Sequence, residues 1–120
     1  MLTSRPLVSL VFSVLAISLI GASPATRTAA AAKTPLVLEL FSSQNCEACP
    51  RANALMGELV EEPGLLVLTY GVDYWDYLGW TDTFAQPDFV SLQKRYADAF
   101  GLRGPYTPQL VINGAFQCSG

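Results

Sequence analysis

Between Pro35 and Gly120 the apolar residues change their spacing repeatedly, and this alternation constrains the fold more than any other feature of the chain. Leu36 to Phe41 is a short, nearly continuous apolar run closed by Ser42 and Ser43, as expected of a strand buried in a sheet. Ala52, Leu55, Met56, Leu59 and Val60 then fall at i, i+3, i+4, i+7 and i+8, the stripe of a helix packing one face on a sheet. Pro63-Gly64 stops it, and Leu65 to Val72 is a second buried run. Phe89, Leu92, Tyr96, Ala97 and Phe100 form a second helical stripe, opened by Pro87-Asp88 and ended by Gly101. Leu110 to Ile112 is a third strand. Asn113-Gly114 suits a two-residue hairpin, so a fourth, antiparallel strand should begin at Ala115. Helices between the early strands imply right-handed crossovers and a parallel pair, so the sheet is mixed. No internal repeat is present, and 35–120 is long enough for one small domain.

The residues upstream do not belong to that core. Leu7 to Ile20 is uncharged and apolar, preceded by Arg5 and followed by Gly21, Ala22, Ser23, Pro24 and Ala25. A basic start, a short apolar stretch and small residues at a cleavage site define a secretory signal peptide, here residues 1–25 with cleavage after Ala25. The run is shorter than the roughly 20 residues that span a bilayer, so no stable membrane span is expected after cleavage. The alternative is an uncleaved anchor. No twin-arginine pair precedes the run, which favours the general secretory route and a periplasmic or secreted protein. Residues 26–34, with four consecutive alanines, read as a tether.

Composition narrows the chemistry. The chain has no histidine, which excludes Ser-His-Asp and Cys-His catalysis and any histidine metal site. Its formal charge of −3 offers no basic surface for a row of phosphates, so nucleic acid is not an expected partner. Apolar residues make up 51% and charged residues 14%, a balance that favours a packed core over disorder.

A β-α-β-α-β-turn-β order with Cys46-Glu47-Ala48-Cys49 between the first strand and first helix is that of a thioredoxin-like domain. The helix start stabilises negative charge, and the thiolate is the reactive form of cysteine. Cys46 is therefore the expected nucleophile, and the spacing lets Cys49 resolve a mixed disulfide. Competing readings are a structural disulfide in an oxidising compartment, half of a zinc site, and a copper site with Met56 or Met1. The first is weakened because so small a loop removes little chain entropy. The second lacks its remaining ligands, and the third has no supporting pattern. In a thioredoxin-like fold a cis-proline precedes the third strand and packs across from the cysteine pair. Thr107-Pro108 occupies that place, with Thr107 offering its backbone to an extended substrate. A trans proline entering a strand is the alternative. Thioredoxins also carry an acidic side chain beneath the second cysteine, and Glu39 in the first strand is the candidate proton relay; an outward-facing position is its alternative. Asp73 to Trp80 holds four aromatic residues, expected mostly in the core rather than along a peptide groove.

The segments FSSQNCEACP, VDYWDYLGW and GLRGPYTPQLVINGAF, in this order and spacing, resemble the secreted bacterial thioredoxin-like family filed as domain of unknown function 1223. The resemblance runs from about Leu36 to Ala115 and implies a thioredoxin-like, three-layer α/β fold with a mixed central sheet, and export. It implies no settled reaction. This chain departs from the family at Asn45, where glycine is common, and at Gly71, where histidine is common. Members continue past Gly120, so the domain at 35–120 is expected to be a truncated one, its final strand and helix incomplete. Cys118 then reads as an odd thiol near the chain end. The expected function is a thiol–disulfide oxidoreductase of the cell envelope, with no metal and no cofactor beyond the Cys46–Cys49 pair. Its expected partners are substrate proteins or a redox partner protein. The alternative is a non-catalytic thioredoxin-like binding module with a structural disulfide.

Overall fold

A computed structural model describes residues 33–120 of the chain. The signal peptide expected at 1–25 and most of the tether at 26–34 lie outside the described residues. The elements follow in the expected order: β1 (Leu36–Ser42), α1 (Cys49–Leu59), β2 (Leu65–Gly71), a 3-10 turn (Asp76–Leu78), α2 (Pro87–Ala99), β3 (Gln109–Ile112) and β4 (Phe116–Ser119). They build a four-stranded mixed sheet of order β2-β1-β3-β4. β1 runs parallel to β2 and antiparallel to β3, and β4 is antiparallel to β3. This mixed α/β arrangement is compatible with a thioredoxin-like fold.

Alternation along β1 divides the core in two, because successive side chains of a strand point to opposite faces. Leu38 and Leu40 pack with Ala52 and Met56 of α1 on one face. Phe41 packs with Val111, Tyr70, the α2 residues Val90, Leu92 and Tyr96, and Phe100 just after α2 on the other. The helices therefore cover opposite faces, giving three layers with β1 at the centre. The stripe of α1 is narrower than its sequence spacing implies: Leu55 and Val60 are about half exposed.

The element ends follow local chemistry. Asn113 and Gly114 both have positive φ, at 50° and 65°, as a tight hairpin turn requires. The Asn113 side chain accepts from the Val37 N–H at 2.8 Å while its own N–H donates to the Val37 carbonyl at 2.8 Å, locking the hairpin to β1. Gly101, at φ 67°, ends α2; the Leu102 N–H reaches back to the Ala97 carbonyl at 2.8 Å and the Gly101 N–H to the Asp98 carbonyl at 3.1 Å. β4 pairs with β3 residue for residue, from Ile112 opposite Phe116 to Gln109 opposite Ser119. Among the described residues, no helix is long and apolar enough to cross a membrane.

Candidate functional site

Cys46 ends the loop that leaves β1, and Cys49 is the first residue of α1. The Cys46 N–H donates to the Ser43 carbonyl at 3.2 Å, and the Cys49 N–H donates to the Cys46 carbonyl at 3.1 Å. This turn brings the two α-carbons to 5.3 Å, and the sulfurs are joined in a disulfide. Ala48 at the helix start has no side chain to cap it, and no acidic residue lies in the first turn. The positive end of the helix favours a thiolate there when the bond is reduced, and Glu47, just before the helix, opposes it. Ser42 Oγ donates to Asn53 Oδ1 at 2.8 Å and ties the end of β1 to α1. Both cysteines are buried, Cys46 to 6% exposure and Cys49 completely.

The aromatic segment braces this turn. The Gln44 N–H donates to Asp82 Oδ2 at 2.7 Å, and Trp80 Nε1 donates to Gln44 Oε1 at 2.7 Å. Asn45 Nδ2 donates to the Trp80 carbonyl at 2.6 Å. Asp82 is itself buried and also accepts from the Phe84 N–H at 2.9 Å, while Asp76 accepts from the Asp82 N–H at 3.1 Å. Asn45, one of the departures from the family pattern, therefore uses its side chain to hold the residue that precedes Cys46. The core assignment of the aromatic segment is corrected in part. Tyr77, Leu78 and Trp80 are 77%, 56% and 59% exposed, whereas Tyr74 and Trp75 are half-buried. The reason is the hydrogen-bonded frame beneath them, which satisfies the segment's backbone while its rings face outward.

Thr107 and Pro108 are joined by a cis peptide bond. Thr107 Oγ1 accepts from Trp75 Nε1 at 2.8 Å, so the aromatic segment touches this loop as well as the cysteine turn. Pro108, immediately before β3, is buried. A Cβ placed on Gly120 would lie 3.0 Å from Cβ of Ala52 and 3.1 Å from Cβ of Pro108, so both flank one point. The Tyr106-Thr107-Pro108 loop is fixed from behind by Gln93, which is fully buried on α2. Gln93 Nε2 donates to the Tyr106 carbonyl at 2.7 Å and to Gln109 Oε1 at 3.0 Å, and its Oε1 accepts from the Tyr74 hydroxyl at 3.1 Å. Gln109 Nε2 and the Tyr106 hydroxyl both donate to Gln117 Oε1, at 3.3 and 2.5 Å. Burial pushes the Tyr74 phenol above its ordinary pKa; burial does the same for Tyr106, with the neighbouring Cys118 contributing. Cys118 is an exposed free thiol on β4.

Glu39 is placed elsewhere. It is buried at 8% exposure on the sheet face that packs α2, and β1 alternation sets it opposite the face that packs α1. Its Oε1 accepts from the Tyr70 hydroxyl at 3.1 Å and its Oε2 from the Tyr96 hydroxyl at 2.6 Å. Both oxygens are thus committed to tyrosines rather than to the cysteine pair. Burial first, then the hydrogen bond to Glu39, raises Tyr96 to about 12; burial and the Glu39 charge also raise Tyr70. Sequence reasoning passed over Gln93, Gln109, Gln44 and Asp82. One signal was available: Gln93 stands four residues from both Phe89 and Ala97, on the apolar side of its helix.

Among the described residues, no group of three or more histidine, cysteine, aspartate or glutamate side chains is placed to hold a metal ion. The family model described as protein of unknown function (DUF1223) matches residues 37–120. A crystal structure of a structural-genomics target protein from Agrobacterium tumefaciens is similar, with 40% sequence identity and a TM-score of 0.67. The similarity covers 70% of this chain and 38% of that one, so the chain spans well under half the length of its structural relative. No curated protein matches the chain.

Proposed function

The chain belongs to the DUF1223 family, a family of unknown function, and from that premise we propose that it is a thiol–disulfide oxidoreductase acting outside the cytoplasm through Cys46 and Cys49. The observation that carries the proposal is the closed disulfide at the uncapped start of α1, with the cis Thr107-Pro108 bond at the entry to β3 and Pro108 and Ala52 of α1 both flanking Gly120. In the oxidised state a substrate thiolate attacks Cys46 Sγ. The Cys46–Cys49 bond breaks, a mixed disulfide forms, and Cys49 leaves as a thiolate that takes up a proton. A second substrate thiolate then attacks the substrate sulfur of the mixed disulfide and releases Cys46. The substrate dithiol loses two electrons and two protons, and the cysteine pair gains them. The reverse sequence reduces a substrate disulfide. Thr107 and Pro108 form the side of the site to which an extended substrate chain would pair, and the two sulfurs are the only redox group the reaction needs.

Glu47 is exposed next to Cys46 and places a negative charge beside a sulfur that must carry one on reduction. The reduced form is held less firmly, so the potential should fall on the reducing side. Equilibration with glutathione or dithiothreitol tests this. A value within the range of known exchangers, about −120 to −270 mV and toward its lower end, supports exchange chemistry. Trapping gives the second arm: the Cys49→Ala variant should accumulate mixed disulfides through Cys46 in its own compartment.

The complete burial of Cys49 and near-complete burial of Cys46 favour a second reading, a binding module whose disulfide is structural. That reading requires a potential below about −300 mV and no trapped partner.

A further inference from the structure

The aromatic segment touches both loops of the proposed site. Its Trp80 and Asp82 hold Gln44 and Asn45, next to Cys46, and its Trp75 holds Thr107. Tyr77 stacks on Trp75, with ring centroids 6.3 Å apart and planes inclined by 27°, which makes the surface continuous from Thr107 outward. We infer that the ridge of Tyr77, Leu78 and Trp80 is the docking surface for the polypeptide that reacts at Cys46, and that the docked segment carries apolar side chains and a basic residue beside its cysteine. The inference rests on the exchange reaction proposed above and names its substrate class.

Three adjoining apolar side chains, each more than half exposed, are an unusual surface for a small domain unless something covers them. The bonds of Trp80 to Gln44 and Asn45 tie the ridge to the residues just before Cys46, so a chain bound there is held near the disulfide. Charge sets the rest of the preference. Within 44–51 and 73–84 the charged residues that reach solvent are Glu47, Asp73 and Asp76 against Arg51 alone, Asp82 being buried. A cysteine flanked by lysine or arginine is attracted to that surface, and one flanked by acids is repelled. Glutathione is anionic and has no apolar side chain, so it meets neither requirement.

The experiment follows oxidation of dithiol peptides by the full chain in its disulfide form, with dithiothreitol as a reductant too small to use the ridge. One peptide flanks its cysteines with leucine, tyrosine and lysine, and the other with serine and glutamate. The probe variant is Tyr77→Ser/Leu78→Ser; both side chains point into solvent. In a single turnover, the apolar, basic peptide should react with the wild type about tenfold faster than with the variant, through the half-saturating peptide concentration rather than the limiting rate. The acidic peptide should be slow with both proteins, and the dithiothreitol rate should be the same for both. Added salt should slow only the basic peptide. Equal rates of wild type and variant with the basic peptide, alongside normal dithiothreitol reduction, would overturn the ridge as the docking site and leave exchange intact. A wild type that dimerises through the ridge, with the dimer lost in the variant, would also overturn it, since a second copy is then the occupant. No reaction with any dithiol would remove the exchange reading itself.

Discussion

Replacing Gln93 by leucine tests whether the buried amide network sets the position of the Thr107-Pro108 loop. The change keeps the volume nearly constant and removes three hydrogen bonds, from 2.7 to 3.1 Å long. Tyr74 is half-buried and can recover a partner from water, so its loss is small. Gln109 is fully buried and keeps only its bond to Gln117, which leaves its carbonyl oxygen unpaired. The Tyr106 carbonyl loses a short bond. An unsatisfied buried group costs about 1–3 kcal/mol, and the leucine side chain regains part of this by its transfer from water. The net loss should be about 2–4 kcal/mol, a large fraction of the roughly 5–15 kcal/mol that holds a domain of this size. Urea unfolding of the oxidised protein measures it. A double-mutant cycle with Tyr74→Phe should give a coupling of about 1 kcal/mol, since both changes break the same bond. A loss below about 0.5 kcal/mol, or strict additivity in the cycle, would refute the view that these amides act as one network.

Other expectations are narrower. Gly71→Ala should destabilise by about 2 kcal/mol or more, because the new Cβ would lie 2.8 Å from the Phe84 carbonyl carbon and 2.9 Å from the Ala85 nitrogen, both of them backbone; an unchanged urea midpoint would contradict the close approach. The high pKa of Tyr96 makes stability fall in alkali. The neutral phenol is favoured in the folded state, so its contribution is complete below the unfolded value near 10 and is lost as pH rises toward about 12. Tyrosinate absorbance followed with unfolding midpoints between pH 9 and 12 should show a late-titrating group, moved back toward 10 by Glu39→Gln. Titration of every tyrosine near 10 in the folded protein would contradict the raised value, and a late-titrating group unmoved by Glu39→Gln would leave burial as its cause.

Much of the scaffold was legible because its signals are local. The apolar run of β1, the turn pair at Asn113-Gly114 and the glycine after α2 each have one inexpensive conformation, and the structure adopts them. The direction of β3 was not legible, since periodicity carries no orientation; its antiparallel pairing to β1 follows from the path of the chain after α2. The face occupied by Glu39 depended on β1 register, which a run apolar on both sides does not reveal. The aromatic segment misled for a different reason. Aromatic composition is equally suited to a core and to an outward ridge, and the aspartate that decides between them, Asp82, acts through the N–H of Gln44, far away in the sequence. The disulfide position was legible from spacing, whereas the amides that hold the opposing loop share a face only after α2 and β3 pack.

The bridge between Gly71 and Ala85 closes the ends of the aromatic excursion on each other, beside the edge of the sheet. A loop that leaves and returns at one point can change length or sequence at little cost in chain entropy and without disturbing the strands that anchor it. Within residues 72–84 the exposed tips Tyr77 and Leu78 are therefore exchangeable, whereas Val72, Trp75, Trp80 and Asp82 are tied to the core, Thr107 and the cysteine turn. Selection can rewrite those two tips while the cysteine turn and the sheet stay as they are, so recognition and reactivity are free to diverge at different rates on one scaffold.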